Sequence, residues 1–271
     1  MSRSTEKTKP YMILVLDAGN SNIDIGCIEN GEVLCVDRME TNRRKTESEY
    51  AVTMESILRL NGKAPSDFEG AVISSVVPPL TDTLRLAVKR LTGLDAIVVG
   101  PGIETGLNIG LDAPDTMGAD LVAAAVAAQA AYPMPCVLFD MGTATTVSVM
   151  DKTGKFLGGA VMPGLGISMD ALSNVTAQLP HISLDPPKKC ISSNTVDCMK
   201  SGAVFGYASA VDGMLDRIQE ELGTPVTAVA TGGLAPKVVP WCRHRVELDS
   251  GLLLKGLWLI WIKNKSQHTP K

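Results

Sequence analysis

The residues best equipped for chemistry lie in "LDAGNSNID", Leu16 to Asp24, where an apolar run breaks into small polar side chains and then resumes. Asp17, Gly19, Asn20, Ser21 and Asn22 offer a carboxylate, short oxygens and closely spaced amides. Such groups can cradle a phosphate and hold the cation that accompanies it. One turn of this kind more often does no more than join two strands. A second copy shifts that balance. "FDMGTATTVSVMDKTGKFL", Phe139 to Leu157, aligns without a gap on Leu16 to Leu34, so that Asp140 falls on Asp17, Gly142 on Gly19 and Thr143 on Asn20. Duplication preserves an apolar frame, but it gives no reason to keep an acidic residue at the end of a buried strand in both copies. Two such turns suit a polyphosphate approached from two sides.

A third carboxylate, Asp120, opens the Ala-rich stretch "LVAAAVAAQAA". Asp at the start of a helix is a favoured N-cap. The helix N-terminus also keeps a carboxylate ionised, so it can accept a proton from a substrate hydroxyl. The two roles are compatible, and neither His nor Cys offers a better-placed base in these motifs.

The elements that must position these groups follow from the apolar pattern. Val15 and Leu16 end one buried strand, Ile23, Ile25 and Ile28 begin another, and Asn30-Gly31 between apolar runs is a hairpin signal. The second copy repeats this order, and "GAVISSVVP" (70–78) and "TAVATGGLA" (227–235) add a further buried strand to each half. Turn residues cluster in "LDAPDT" (111–116), which places a domain break near Asp112 to Thr116. The expected division is an N-terminal α/β domain over 11–114 and a C-terminal one over 115–263, with disordered tails at 1–10 and 264–271. "GLLLKGLWLIWIKN" reads as a C-terminal helix that crosses back onto the first domain. It is shorter than the roughly 20 residues of a membrane span, and Lys255 interrupts it.

Composition narrows the class. A net charge of -4 and only 4% aromatic residues argue against a nucleic-acid surface. The six cysteines form no C-x-x-C pair, and the three histidines lack metal-ligand spacing. The polar start "MSRSTEKTKP" lacks the apolar core of a signal peptide, so a reduced, cytoplasmic protein is expected.

The duplicated D-x-G turns resemble the actin/hexokinase-type ATPase superfamily, and the finer motifs resemble type III pantothenate kinases. "DAGNSN" is similar to that family's first phosphate loop, "TGLNI" (105–109) with "PDTMGAD" (114–120) to its central block, and "DMGTATT" (140–146) to its second loop. "GGAVMPGLGISMDAL" (158–172), Asn194-Thr195, "SGAVFGYASAVDGM" (201–214) and "ATGGLA" continue the series in order, over about residues 11–262. The resemblance implies duplicated ribonuclease-H-like (actin-like ATPase) α/β domains with a cleft between them. It implies a homodimer that uses ATP, Mg²⁺ and a monovalent cation (K⁺ or NH₄⁺) to phosphorylate the primary hydroxyl of pantothenate, the first step of coenzyme A synthesis. Carried over by position, Asp17, Ala18, Gly19, Asn20, Ser21, Asn22, Ile23 and Asp24 would contact ATP and Mg²⁺, with Asp17 facing the metal. Thr143 would contact ATP, and Asp140 would hold the monovalent cation. Gly118, Ala119, Asp120 and Thr195 would line the pantothenate site, with Asp120 as general base.

Two positions depart from the pattern. The family's G-A-D-R block reads "GADL" here, putting Leu121 in place of a substrate-contacting Arg, and Leu111 stands where an aromatic, usually Tyr, is expected. Leucine has no donor for a carboxylate. Both changes fall on the acceptor side. They leave open a kinase with another alcohol acceptor and a non-catalytic ATP-binding regulator beside the pantothenate kinase.

Overall fold

The computed structural model describes residues 12–265. The first part of the chain forms β1 (Met12–Ala18), β2 (Asn22–Glu29), β3 (Glu32–Glu40), α1 (Glu47–Leu60), β4 (Gly70–Ser75), α2 (Pro78–Thr92) and β5 (Ile97–Val98). After α3 (Ala119–Ala131) come β6 (Cys136–Met141), β7 (Ala144–Met150), β8 (Phe156–Pro163) and α4 (Leu165–Val175). The chain ends with α5 (Thr195–Ser201), a π-helical turn, α6 (Tyr207–Leu222), β9 (Thr227–Thr231), α7 (Ala235–Val238), β10 (Glu247–Leu248) and α8 (Leu252–Asn264).

Two five-stranded sheets result, ordered β3-β2-β1-β4-β5 and β10-β9-β6-β7-β8. Their connectivity is the same once β6 is set on β1. In each, three antiparallel strands are followed by one that pairs parallel to the first and a short one that pairs parallel to that. This is the expected duplicated ribonuclease-H-like architecture. Asn30 and Gly31 make the first hairpin turn with φ of 53° and 89°, the left-handed pair that a two-residue connection needs.

The gapless repeat hides a local slip. β2 begins one residue later after Asp17 than β7 does after Asp140. The cross-strand partner of Asp17 is therefore Asp24, whereas that of Asp140 is Thr146. The longer β7–β8 turn restores the register; there Asp151 accepts backbone N–H bonds from Thr153 and Lys155 at 2.7 and 3.0 Å.

Contacts divide the chain into two compact units, but not at one break near residue 114. The first unit comprises the chain through Thr105, Gly118–Ala123 and the residues from Leu254 onward; the second comprises Gly106–Met117 and Ala124–Leu253. The chain thus passes between units several times, as the apolar faces require. In the first sheet, Leu14, Leu16, Ile23, Ile25 and Ile73 face one way and pack with Tyr50, Met54 and Leu84 of α1 and α2. The opposite face carries Gly26 and Gly70, and it takes α8. A Cβ on Gly26 would stand 3.1 Å from Leu254 Cδ1, and the Trp261 indole fills the space a Cβ on Gly70 would need. In the second sheet, Val137, Phe139 and Val147 pack with α4 and α6, while Cys136, Leu138 and Val229 take the alanines of α3 on the other face.

The expected tail from 264 needs correction. Asn264 is fully buried and ends α8: its Oδ1 accepts from Glu104 N–H at 3.0 Å and its Nδ2 donates to Glu104 O at 2.8 Å. Paired to both peptide groups of one residue, it is anchored. The expected tail at 1–10 and the remainder beyond Lys265 lie outside the described residues. No helix among the described residues is long and apolar enough to cross a membrane.

Candidate active site

In the first unit, the acidic turn sits at the C-terminal end of β1. Gly19 N–H donates to Asn22 O at 2.9 Å to close it, and the Thr41 hydroxyl donates to Gly19 O at 2.7 Å. Asn20, Ser21 and Asn22 are exposed at its tip, whereas Ala18 and Ile23 are fully buried core residues. Any ligand contact by those two goes through the backbone.

Alternation along the strands puts Asp17, Asp24 and Ser74 on one sheet face, with Asp17 in register with both the others. Arg38 on β3 lies opposite Asp24 and grips it with two bonds, Nε to Oδ1 at 2.5 Å and Nη2 to Oδ2 at 2.8 Å. That hydrogen bonding, with the charges of Asp24 and Asp17, holds the guanidinium pKa above its ordinary value. Ser74 is fully buried, and its Oγ has no hydrogen-bond partner among the described residues. Arg38 and Ser74 were not among the sequence candidates.

The Gly118–Leu121 block joins the same unit. Val76 N–H donates to Ala18 O at 3.0 Å, and a Cβ on Gly118 would stand 3.5 Å from Val76 Cγ1, so the block is carried to the end of β1 that bears Asp17. The N-cap reading of Asp120 needs correction. The helix begins at Ala119, so Asp120 is its second residue and Gly118 precedes it. Its Oδ1 accepts from Leu121 N–H at 2.8 Å. Burial pushes the Asp120 pKa above its ordinary value, and backbone N–H groups of Leu121 and Asp120 itself partly oppose the shift. A carboxylate with raised basicity at a helix N-terminus is chemically a proton acceptor.

In the second unit, Asp140 on β6 is flanked in register by Thr146 of β7 and Thr231 of β9. The Thr146 Oγ1 is buried and has no hydrogen-bond partner among the described residues. Gly232 explains the "TGG" motif: its φ is +89°, and a Cβ there would fall 2.6 Å from Asp140 Oδ1. Only glycine fits beside that carboxylate. Thr143 is exposed on the tight turn closed by Gly142 N–H to Ala144 O at 3.0 Å.

Two further candidates lie elsewhere in this unit. Thr195 starts α5, behind an Asn194 cap that accepts from Asp197 N–H at 2.9 Å. It lines an apolar cavity of about 530 Å³ with Leu165, Met169, Met199 and Tyr207. Leu111 packs on the apolar cluster around Phe156, and a Cβ on Gly158 would stand 3.4 Å from its Cδ2.

The donor sets fit two kinds of cation. Asp17 with the Ser74 hydroxyl, which has no hydrogen-bond partner among the described residues, offers oxygen donors of the kind Mg²⁺ takes together with phosphates, while both Asp24 oxygens are committed to Arg38. Asp140 with two threonine hydroxyls carries less negative charge, which suits a monovalent ion. Among the described residues, no three His, Cys, Asp or Glu side chains group to hold a metal. Ligand oxygens would have to complete either shell.

The chain's residues 13–217 match the family model of type III pantothenate kinase. It is 40% identical over 253 residues to the type III pantothenate kinase of Halalkalibacterium halodurans, covering 93% of this chain and 100% of that one. Against the type III pantothenate kinase of Brevibacillus brevis it is 41% identical over 257 residues, covering 94% and 100%. Among solved structures, a ROK-family glucokinase from Streptomyces griseus with glucose and AMPPNP superimposes with a TM-score of 0.54 at 13% identity, covering 92% of this chain and 97% of that one. That likeness bears on the fold alone.

Proposed function

Because the chain belongs to the type III pantothenate kinase family, we propose that it transfers the γ-phosphoryl group of ATP to the primary hydroxyl of pantothenate, the first step of coenzyme A biosynthesis. The observation that carries this reading is the family match over 13–217, which spans both acidic turns and Asp120. Identity near 40% across almost the whole chain leaves a non-catalytic regulator or a different acceptor without support of its own.

The residues divide the work as follows. Backbone N–H groups and short side chains of Gly19 to Asn22 bind phosphate oxygens, and Thr143 contacts ATP from the second acidic turn. Asp17 would hold Mg²⁺, which when bound neutralises phosphate charge, and Asp140 would hold a monovalent cation with hydroxyl help from Thr146. Gly118, Ala119 and Thr195 line the pantothenate site. Asp120 accepts the proton of the pantothenate hydroxyl as that oxygen bonds to the γ-phosphorus, while the bond to the bridging oxygen breaks and ADP departs. In such transfers positioning and charge stabilisation dominate, and the base adds a smaller factor. We place the enzyme in the cytoplasm as a homodimer. The test is ADP release by the purified protein with ATP, Mg²⁺ and K⁺ or NH₄⁺, over a panel containing pantothenate, pantetheine and simple alcohols. Pantothenate-dependent release is expected; release driven by another alcohol, or none at all, would refute the reading.

A further inference from the structure

The Arg38–Asp24 pair joins the edge strand β3 to β2 with the guanidinium half in solvent, where an isolated ion pair adds little to stability. Its geometry is nonetheless built deliberately into the hairpin. A regular two-residue turn at Asn30-Gly31 pairs Glu29 with Glu32 and Ile28 with Val33, and continued at that register it would set Asp24 against Asp37. Leu34 is an extra residue that shifts the ladder, so Arg38 faces Asp24 instead. The bulge thereby replaces a like-charge contact with a bidentate one on the face that bears Asp17.

Two N–H groups on one edge of the guanidinium are committed to Asp24, which fixes its plane. Among the described residues, Nη1 makes no hydrogen bond. A guanidinium oriented in this way keeps a donor fork for a second oxyanion and loses little further freedom on engaging it. It also offsets the Asp24 charge, which would otherwise stand beside Asp17 and repel a polyphosphate. We propose that Arg38, oriented by Asp24, is a phosphate-binding residue of the nucleotide site, and that Asp24 serves ATP through Arg38 rather than as a cation ligand. This rests on the reading that the first acidic turn binds ATP.

Calorimetric titration of the full chain with ATP, ADP and AMP, each with Mg²⁺, tests it in the wild type, Arg38→Gln, Arg38→Lys, Asp24→Asn and the Asp24→Asn/Arg38→Gln double variant. Arg38→Gln should weaken ATP binding by about tenfold or more, the value of a charge-assisted contact, and leave AMP affinity in place. Arg38→Lys should recover part of the loss, and Asp24→Asn should weaken ATP in the same direction. The double variant should be no worse than Arg38→Gln, because one residue acts through the other. Wild-type ATP affinity in Arg38→Gln would overturn the proposal. So would equal losses for ATP and AMP, or single-variant losses that multiply in the double. Turnover with pantothenate is scored separately in the wild type: its absence would refute the acceptor, while the nucleotide series would still decide Arg38.

Discussion

Replacing Asp120 with Asn separates a catalytic carboxylate from a structural one, because the two roles move activity and stability in opposite directions. Asn keeps an Oδ1 that can accept the Leu121 N–H now bonded at 2.8 Å, so the local geometry of the first turn of α3 should survive. What disappears is the negative charge and the ability to take a proton. General-base assistance is worth roughly 10²–10⁴-fold, and the low end applies where phosphoryl transfer is governed by positioning. A loss of about 10²-fold in kcat corresponds to about 2.7 kcal/mol in the barrier. Stability should move the other way. Burial raises the folded-state pKa of Asp120 above its unfolded value. The stability contribution of such a group is fully present below the unfolded pKa of about 3.9 and is lost as pH rises through the folded value. At neutral pH the ionised carboxylate therefore costs folding free energy, and Asn removes that cost. Against this stands a favourable charge–dipole interaction at the helix N-terminus of about 0.3–1 kcal/mol, which Asn also gives up. The raised pKa says that desolvation wins. Asp120→Asn should accordingly melt above the wild type at pH 7–8, with the difference closing as pH falls below about 3.9. ATP affinity should hold, and the acid limb of the wild-type kcat profile should vanish in the variant. Coupled measurement of ADP release with thermal melts across pH decides the matter. Wild-type turnover in a folded variant would refute the base role, and a lower melting temperature at neutral pH would refute the desolvation argument.

Asp140→Ala should weaken ATP binding and abolish activation by K⁺ or NH₄⁺, read from cation titrations of the initial rate; an unchanged cation response would remove Asp140 from the cation site. Gly232→Ala combines a left-handed backbone with a Cβ 2.6 Å from Asp140 Oδ1 and 2.7 Å from the Met141 backbone. It should lose at least about 1–2 kcal/mol in urea denaturation from backbone strain alone, together with the monovalent-cation response. Leu121→Arg should lower the KM for pantothenate by about tenfold, one restored charged contact, and lower it less for pantetheine, which lacks the carboxylate. Leu111→Tyr should instead cost about 1–3 kcal/mol of stability, because Leu111 already fills space beside Gly158 and Phe156.

Legibility followed the range of the interaction. The acidic turns and their flanking strands could be read because they are local: apolar alternation ends, small polar residues follow, and Asn30-Gly31 closes the hairpin within a few positions. The α8 helix could be read as apolar and docked, but its seat could not, since Gly26 and Gly70 read as turn or strand residues until Leu254 and Trp261 lie on them. The helix start was misplaced by two residues, enough to turn Asp120 from a cap into a first-turn carboxylate. Arg38 was hidden for a different reason. Its partner is fixed by counting across the hairpin, and the bulge at Leu34 makes a plain count give Asp37, a carboxylate that would have argued against any pairing. A separate displacement by one, the longer turn after Asp17, explains why the gapless repeat set Asp24 against Val147, whereas the strands set it against Thr146. That correction carries chemistry. At matching positions beside the acid common to both copies, one copy has a carboxylate paired with arginine and the other has a hydroxyl. The duplicated frame thus holds two equivalent acids in unequal surroundings, one beside a carboxylate paired with arginine, the other beside neutral threonine hydroxyls.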